Sequence, residues 1–125
     1  MLKDGRFHSA VAVSEPTRAR EWYEAKLGLT HQQEDPGGLW YRFGSEGWLY
    51  VYPSSSAGTA KNTVAGWAVS DLAAEMAELR SRGVVFEEYD MPGLKTVNGV
   101  VDFGPAKVAW FKDPDGNTFE LSQVS

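Results

Sequence analysis

Apolar and polar positions in the first half of the chain follow the pattern of one strand, one helix and three further strands. Residues 7–13 form a short apolar run that predicts a strand, and Ser14 followed by Pro16 supplies a helix N-cap residue and an early-turn proline. Apolar residues then recur at helical spacing until Gly28, which predicts the end of the helix. The three strands expected next, separated by turn-forming residues, are 29–34, 39–43 and 48–52.

The same order of elements begins again after a polar segment of linker composition at residues 54–62. Residues 63–69 predict a strand, and Ser70 with Asp71 predicts the cap of a second helix. The further strands predicted in this half are 84–89, 100–103, 107–112 and 118–123, the last two joined as a hairpin by the turn DPDGN. The segment 90–104 is long and rich in glycine, which is typical of a lid or of a disordered crossover.

This repeat divides a single domain of residues 1–125 into two modules. The first module covers about residues 5–53, the linker covers 54–62, and the second module covers about residues 63–124. Neither module has enough residues for a good core alone, so the two must share a sheet or pack face to face.

Composition narrows the class of protein. A chain of 125 residues with 42% hydrophobic residues can fold without a metal or a disulfide, and it contains no cysteine. The 12 basic and 17 acidic residues give a net charge of −5, and the basic residues are scattered, so a nucleic-acid partner is not expected. No apolar leader and no apolar run of membrane-spanning length are present, which makes a soluble, cytoplasmic protein the expectation.

Aromatic residues are unusually frequent, at 13% of the chain. A core of this size is not expected to use all of them, so some should line a surface pocket or an interface.

Three segments resemble one known family. The first is the strand at residues 8–13 with the helix text EWY at 21–23 and the exit LGL at 27–29; the second is VSDL at 69–72. The third and most specific is FKDPDGNTFEL at 111–121. In this order and spacing the segments resemble the vicinal oxygen chelate superfamily, which includes glyoxalases, bleomycin-resistance proteins and extradiol dioxygenases.

The resemblance implies an α+β fold in which two βαβββ modules form a half-open, curled mixed sheet, here called the cup, with the helices outside and usually in a homodimer. Family metalloenzymes hold a divalent metal in the cup through up to four side chains, from the first and last strand of each module. His8 and Glu120 match two of these positions, whereas Val64 and Tyr50 occupy the other two.

An alkyl group cannot coordinate a metal, and a neutral phenol is a poor ligand for a hard divalent ion. No cofactor is therefore expected, and any metal site of His8 and Glu120 would be weak and incomplete. The same two residues would suit acid/base catalysis without a metal. The alternative is that His8 is an ordinary hydrogen-bonded strand residue and Glu120 a relic of ancestry; His31 is interpreted as part of a solvated strand face.

Strand alternation also predicts which side chains face the cup. Small residues are expected on its floor at Ala10, Ala12, Gly66 and Ala68, and the aromatic residues expected on its wall are Trp48, Tyr50 and Tyr52, with Trp40 and Phe103 as further candidates. Such a cup would bind a small organic molecule, although the aromatic residues could equally pack at a dimer or module interface. Acidic residues at 46, 87, 88, 90 and 102 would favour a cationic or planar ligand if they face the cup, and otherwise form a solvated rim.

Three hypotheses about function follow. The first is a metal-independent protein that binds a small molecule, with a ligand site made of His8, Trp48, Tyr50, Tyr52, Gly66, Phe103 and Glu120. The second is an enzyme of the same superfamily, either a metal-dependent lyase, isomerase, epimerase or dioxygenase, or a metal-free enzyme that uses His8 and Glu120 for proton transfer. The third is an interaction or regulatory domain, which predicts a filled cup.

Overall fold

Two four-stranded mixed sheets form the framework of the computed structural model, which describes residues 1–124. The first sheet has the strand order β1-β4-β3-β2, and only the pair β1 and β4 is parallel. Its strands are β1 (Ser9–Val13), β2 (His31–Asp35), β3 (Gly38–Phe43) and β4 (Gly47–Pro53).

The second sheet repeats this plan with the order β5-β10-β9-β8, where β5 and β10 are parallel. Its strands are β5 (Thr63–Ala68), β8 (Val101–Asp102), β9 (Ala106–Lys112) and β10 (Thr118–Val124). A small hairpin of β6 (Asp90–Met91) and β7 (Leu94–Lys95) precedes β8. The two sheets do not close into a barrel, which confirms the half-open arrangement of paired modules.

Helix α1 spans Pro16–Lys26 and helix α2 spans Leu72–Ser81. The Asp71 carboxylate accepts a hydrogen bond from the backbone N–H of Ala74 at 3.1 Å, so the predicted cap of α2 is confirmed. The prediction that Ser14 caps α1 is wrong. Glu15 occupies the N-cap position, and the Ser14 backbone N–H and hydroxyl both donate to the Asp115 carboxylate, at 3.1 and 2.5 Å.

The strand predicted at residues 84–89 is also wrong. Only one isolated bridge forms there, between Phe86 and Phe111, together with a hydrogen bond from the Glu87 N–H to the Trp110 carbonyl at 2.8 Å. The chain then leaves the sheet because Tyr89 pairs with Thr96 instead, its N–H donating to the Thr96 hydroxyl at 2.8 Å. The segment that follows is therefore a hydrogen-bonded hairpin region rather than a structureless crossover.

One core joins both sheets and both helices. Alternate strand residues point to opposite faces, and the buried set packs under the helices. Tyr23 of α1 is fully buried against Tyr41 of the first sheet and Phe119 of the second, with ring centroids 6.0 and 6.1 Å apart. The opposite strand faces therefore remain available to form the cup.

No helix within residues 1–124 has the length and apolar character needed to cross a membrane.

Candidate ligand site

Four aromatic side chains form a continuous wall on the cup face of the first sheet: Trp40, Trp48, Tyr50 and Tyr52, here called the aromatic wall. Leu49 and Val51 of β4 are buried beneath the helices, so the alternate residues of that strand face the other way. Trp40 lies opposite Tyr50 in the register of β3 and β4, and their ring centroids are 4.3 Å apart. Trp48 meets Trp40 edge-on at 6.1 Å, and Tyr52 stacks on Tyr50 at 5.7 Å.

Asp35 fixes the orientation of this wall. One of its carboxylate oxygens accepts a hydrogen bond from Trp40 Nε1 at 3.0 Å, and the other accepts from the Tyr50 hydroxyl at 3.1 Å. The backbone N–H groups of Gly37 and Gly38 donate to that second oxygen at 2.8 and 2.9 Å. A Cβ at Gly37 would collide with the Tyr50 hydroxyl, which explains why glycine suits this turn.

These hydrogen bonds also set the charge of the site. The bond from Trp40, reinforced by those from Gly37, Tyr50 and Gly38, lowers the pKa of Asp35 despite the opposing effect of burial. Burial raises the pKa of Tyr50, and the bond to Asp35 and its negative charge add to that effect. Asp35 is therefore an ionised acceptor and Tyr50 a neutral donor at pH 7.

His8 stands at the open side of the aromatic wall. Its ring meets Trp40 edge-on, with centroids 4.8 Å apart. An open cavity of about 410 Å³ lies here, and its lining is Arg6, His8, Gln33, Asp35, Trp40 and Trp48. The cavity thus combines two tryptophan side chains with four polar or charged ones, so it offers both a flat apolar surface and hydrogen-bonding groups to a small molecule.

Glu120 lies on the cup face of the second sheet, opposite Gly66 in the register of β10 and β5. A Cβ at Gly66 would lie 2.5 Å from Glu120 Cγ, so the carboxylate side chain crosses the strand where glycine leaves room. Gly66 and Trp48 both line a smaller cleft of about 110 Å³ between the two sheets. Within residues 1–124, no hydrogen bond or ion pair joins His8 to Glu120.

Two residues singled out in the sequence, Phe103 and His31, lie away from this cavity. Phe103 is 51% exposed, and its ring contacts no other aromatic ring in the described part of the chain. His31 is not on a freely solvated face, because its Nδ1 lies 2.9 Å from the Glu24 carboxylate of α1, which also accepts from the Tyr41 hydroxyl at 3.0 Å.

The residues at the four metal-ligand positions of the resemblance do not fit a divalent metal centre. Val64 offers no donor atom, and the Tyr50 hydroxyl is engaged with Asp35. Among residues 1–124, no group of three or more His, Cys, Asp or Glu side chains is placed to hold a metal ion. One imidazole and one carboxylate alone fall short of the donor set of zinc or iron sites.

Sequence reasoning missed Asp35, Arg6 and Gln33. The segment DPGG at 35–38 carries a strong turn signal, which accounts for an Asp at this position without any role in a site. An Asp that starts the turn pattern DPGG does carry a usable signal: one oxygen accepts from the N–H groups of Gly37 and Gly38, and the second oxygen is left to accept from a side chain on the adjoining strand, here Trp40. Arg6 precedes the first strand and has no local pattern that would identify it.

The fold and the family match together identify the class of protein. A sequence model described as the Glyoxalase/Bleomycin resistance protein/Dioxygenase superfamily matches residues 5–121, so the chain belongs to this family. A search of curated proteins gives no match.

Solved structures agree with this assignment. TnmS3, an antibiotic binding protein from Streptomyces sp. CB03234, is 25% identical with a TM-score of 0.72, over 100% of this chain and 99% of that chain. A glyoxalase/bleomycin resistance protein from the same Streptomyces is also 25% identical, with a TM-score of 0.67, over 93% and 97% of the two chains. A putative glyoxalase family protein from Bacillus anthracis, at 17% identity and a TM-score of 0.76 over 98% and 96%, shares the fold.

Proposed function

We propose that this protein binds a small, planar aromatic molecule against the aromatic wall of the cup, and that binding needs no metal. The observation that carries the proposal is the hydrogen bonding of Asp35 to both Trp40 and Tyr50, which holds two rings of the wall in place before any ligand arrives. A wall fixed in advance loses little conformational entropy on binding, which favours affinity.

The contacts of the acidic residues favour a planar ligand over a cationic one. Asp35 accepts hydrogen bonds from four donors, Glu87 pairs with Lys112, and Glu88 accepts from the Gly99 N–H. These carboxylates are therefore engaged within the protein. The exposed faces of the wall rings remain as the recognition surface, and stacking on them selects flat molecules.

The comparison with TnmS3 supports the same proposal, because that protein is described as antibiotic binding and matches this chain over its whole length. The poor donor set at His8, Glu120, Val64 and Tyr50 supports a metal-independent mode of binding. His8 and Glu120 then serve as polar groups on opposite sides of the cup, and homodimerisation stays a prediction that light scattering can check.

Calorimetric titration tests the proposal with neutral planar probes such as naphthoquinone and anthraquinone. We expect saturable binding with one ligand per chain, unchanged by a chelator, and lost in Trp40→Ala. Trp22→Phe is the matched control, since Trp22 packs on the helix side against Tyr23 and Phe111 and should leave binding intact.

Two results would contradict the proposal. The first is equal binding by the parent protein and Trp40→Ala, which would place the ligand elsewhere. The second is stoichiometric metal binding that disappears in both His8→Ala and Glu120→Ala. This result would show that the site depends on a metal, as in the metalloenzymes of the family.

A further inference from the structure

Arg6 and Arg42 both lie against the ring of Trp48 at one edge of the aromatic wall. We infer that these two arginines form an anion-binding edge, so that the ligand is a planar aromatic carrying a carboxylate, sulfonate or similar acidic group. This inference rests on the proposed function, because it assigns a chemical class to the ligand of the same cup.

The geometry brings two cations to one aromatic ring. The guanidinium carbon of Arg6 lies 5.7 Å from the centroid of the Trp48 ring, and that of Arg42 lies 5.8 Å from it. Arg42 faces Trp48 directly in the register of β3 and β4, whereas Arg6 reaches the ring from the segment before β1. Residues from separate parts of the chain therefore converge on Trp48.

These two arginines differ in their ion pairing from three of the other four, and Arg80 resembles them, since it lies over the Phe86 ring and donates to the Asn98 carbonyl. Arg18, Arg20 and Arg82 each lie within 4 Å of a carboxylate, in a protein with a net charge of −5. Within residues 1–124, Arg6 and Arg42 have no such partner, and the one hydrogen bond of Arg42 goes to the Ser45 carbonyl. Neither charge is therefore neutralised by an ion pair within these residues.

Within residues 1–124, the acidic groups nearest this edge form no ion pair with either arginine. Asp35 is ionised and lines the same cavity as Arg6, and its hydrogen bonds come from four neutral donors rather than from either arginine. Asp4 is paired with Lys3 and with the amino terminus, at 3.7 and 3.6 Å. Glu46 shares a neighbouring depression with Arg6, without an ion pair between them in the described residues.

A ligand that has a flat ring system and an acidic group would contact both the aromatic wall and the two arginines at its edge. Its flat ring system would stack on the wall, and its acidic group would accept paired hydrogen bonds from a guanidinium, whose planar donor geometry matches a carboxylate or a sulfonate. The rim position of His8 adds an imidazole beside the same cavity.

Calorimetric titration with three probes of nearly the same shape tests this: 2-naphthoate, 2-naphthamide and 2-naphthylmethylammonium. We expect the naphthoate Kd to be about tenfold lower than that of the amide, and the ammonium ion to bind weakest. In the double variant Arg6→Gln/Arg42→Gln the naphthoate and amide should bind equally. High salt should weaken naphthoate binding and leave amide binding unchanged.

The matched control is Arg82→Gln, which removes one positive charge at the end of α2, where Arg82 pairs with Glu78. It should keep the preference for naphthoate, which excludes an effect of net charge alone. Equal binding of the three probes by the parent protein, or an unchanged preference in the double variant, would overturn the inference while leaving the proposed function intact. If none of the three probes binds and neutral quinones also fail to bind, the proposed function fails with it.

Discussion

Tyr23 and Asp113 are 90 positions apart in the sequence, and the Tyr23 hydroxyl donates a hydrogen bond to the Asp113 carboxylate at 2.7 Å. Tyr23 lies on α1 of the first module, and Asp113 begins the turn between β9 and β10 of the second. Asn117 N–H and side-chain amide donate to the same carboxylate at 2.9 and 2.8 Å. Asn117 also donates to the Ala12 carbonyl at 2.8 Å, so this turn fastens the second module to the first.

Tyr23→Phe should lower the free energy of unfolding by about 1–3 kcal/mol, because it leaves a buried carboxylate with one donor fewer. Urea denaturation at pH 7 measures the change. Tyr89→Phe is the matched control, since the Tyr89 hydroxyl forms no hydrogen bond within residues 1–124, and its unfolding curve should stay close to that of the parent. Equal destabilisation by both changes would show that the hydrogen bond to Asp113 is not the cause of the lower stability.

Glu24→Gln should reduce the loss of unfolding free energy that the parent protein shows as the pH falls. Burial acts to raise the pKa of Glu24, but the hydrogen bonds from His31 and Tyr41 outweigh it and leave the pKa below its ordinary value. A lowered pKa in the folded protein adds stability above the unfolded pKa of about 4.3, and this stability is lost as the pH falls through the folded value.

The measurement for Glu24→Gln is the urea unfolding free energy of both proteins between neutral pH and the acid limit of folding. The parent should be more stable at neutral pH, and the difference should shrink on acidification. A difference that stays constant with pH would contradict the assignment of this cluster.

Asp35→Asn should weaken binding of a planar probe by about three- to tenfold while leaving the fold intact. The reason is that the single oxygen of an amide cannot accept all four hydrogen bonds that the Asp35 carboxylate accepts. Near-ultraviolet circular dichroism should change at the same time, since Trp40 and Tyr50 lose their fixed orientation. Calorimetric titration measures the affinity. Unchanged affinity together with a changed aromatic spectrum would mean that the order of the wall does not matter for binding.

Gly66→Ala should destabilise the protein by about 1–3 kcal/mol, because the added Cβ would lie 2.5 Å from Glu120 Cγ and 3.1 Å from the Glu120 carbonyl oxygen. Shortening the neighbour in Gly66→Ala/Glu120→Ala should recover part of the loss. Thermal or urea unfolding of the two single variants and the double variant gives the coupling between the positions. Strictly additive effects would exclude the predicted contact.

The sequence by itself determined the local elements and their repetition. Strand alternation predicts that Trp48, Tyr50 and Tyr52 share one face of their strand, and the burial of Leu49 and Val51 between them fits this, because the period of a strand is a local property of the backbone. The motif around the turn DPDGN carried the family, which the match over residues 5–121 confirms.

Local signals failed where a distant partner competed with them. Ser14 has the chemistry of a helix cap, yet Asp115, 101 positions away, takes both of its donors. Residues 84–89 have the composition of a strand, yet within them only the Phe86 bridge and the Glu87 N–H bond to β9, and Tyr89 then pairs with Thr96 instead.

Only the tertiary structure decided which polar groups meet at the cup. Asp35 joins Trp40 and Tyr50, and Arg6 joins Arg42 at Trp48, because strand register and the path of the chain before β1 bring them together. Such meetings depend on the packing of the whole chain and leave no periodic trace in the sequence. The number of aromatic residues predicts a surface pocket or an interface, and only the structure shows the hydrogen bonds and charges that surround Trp40, Trp48 and Tyr50.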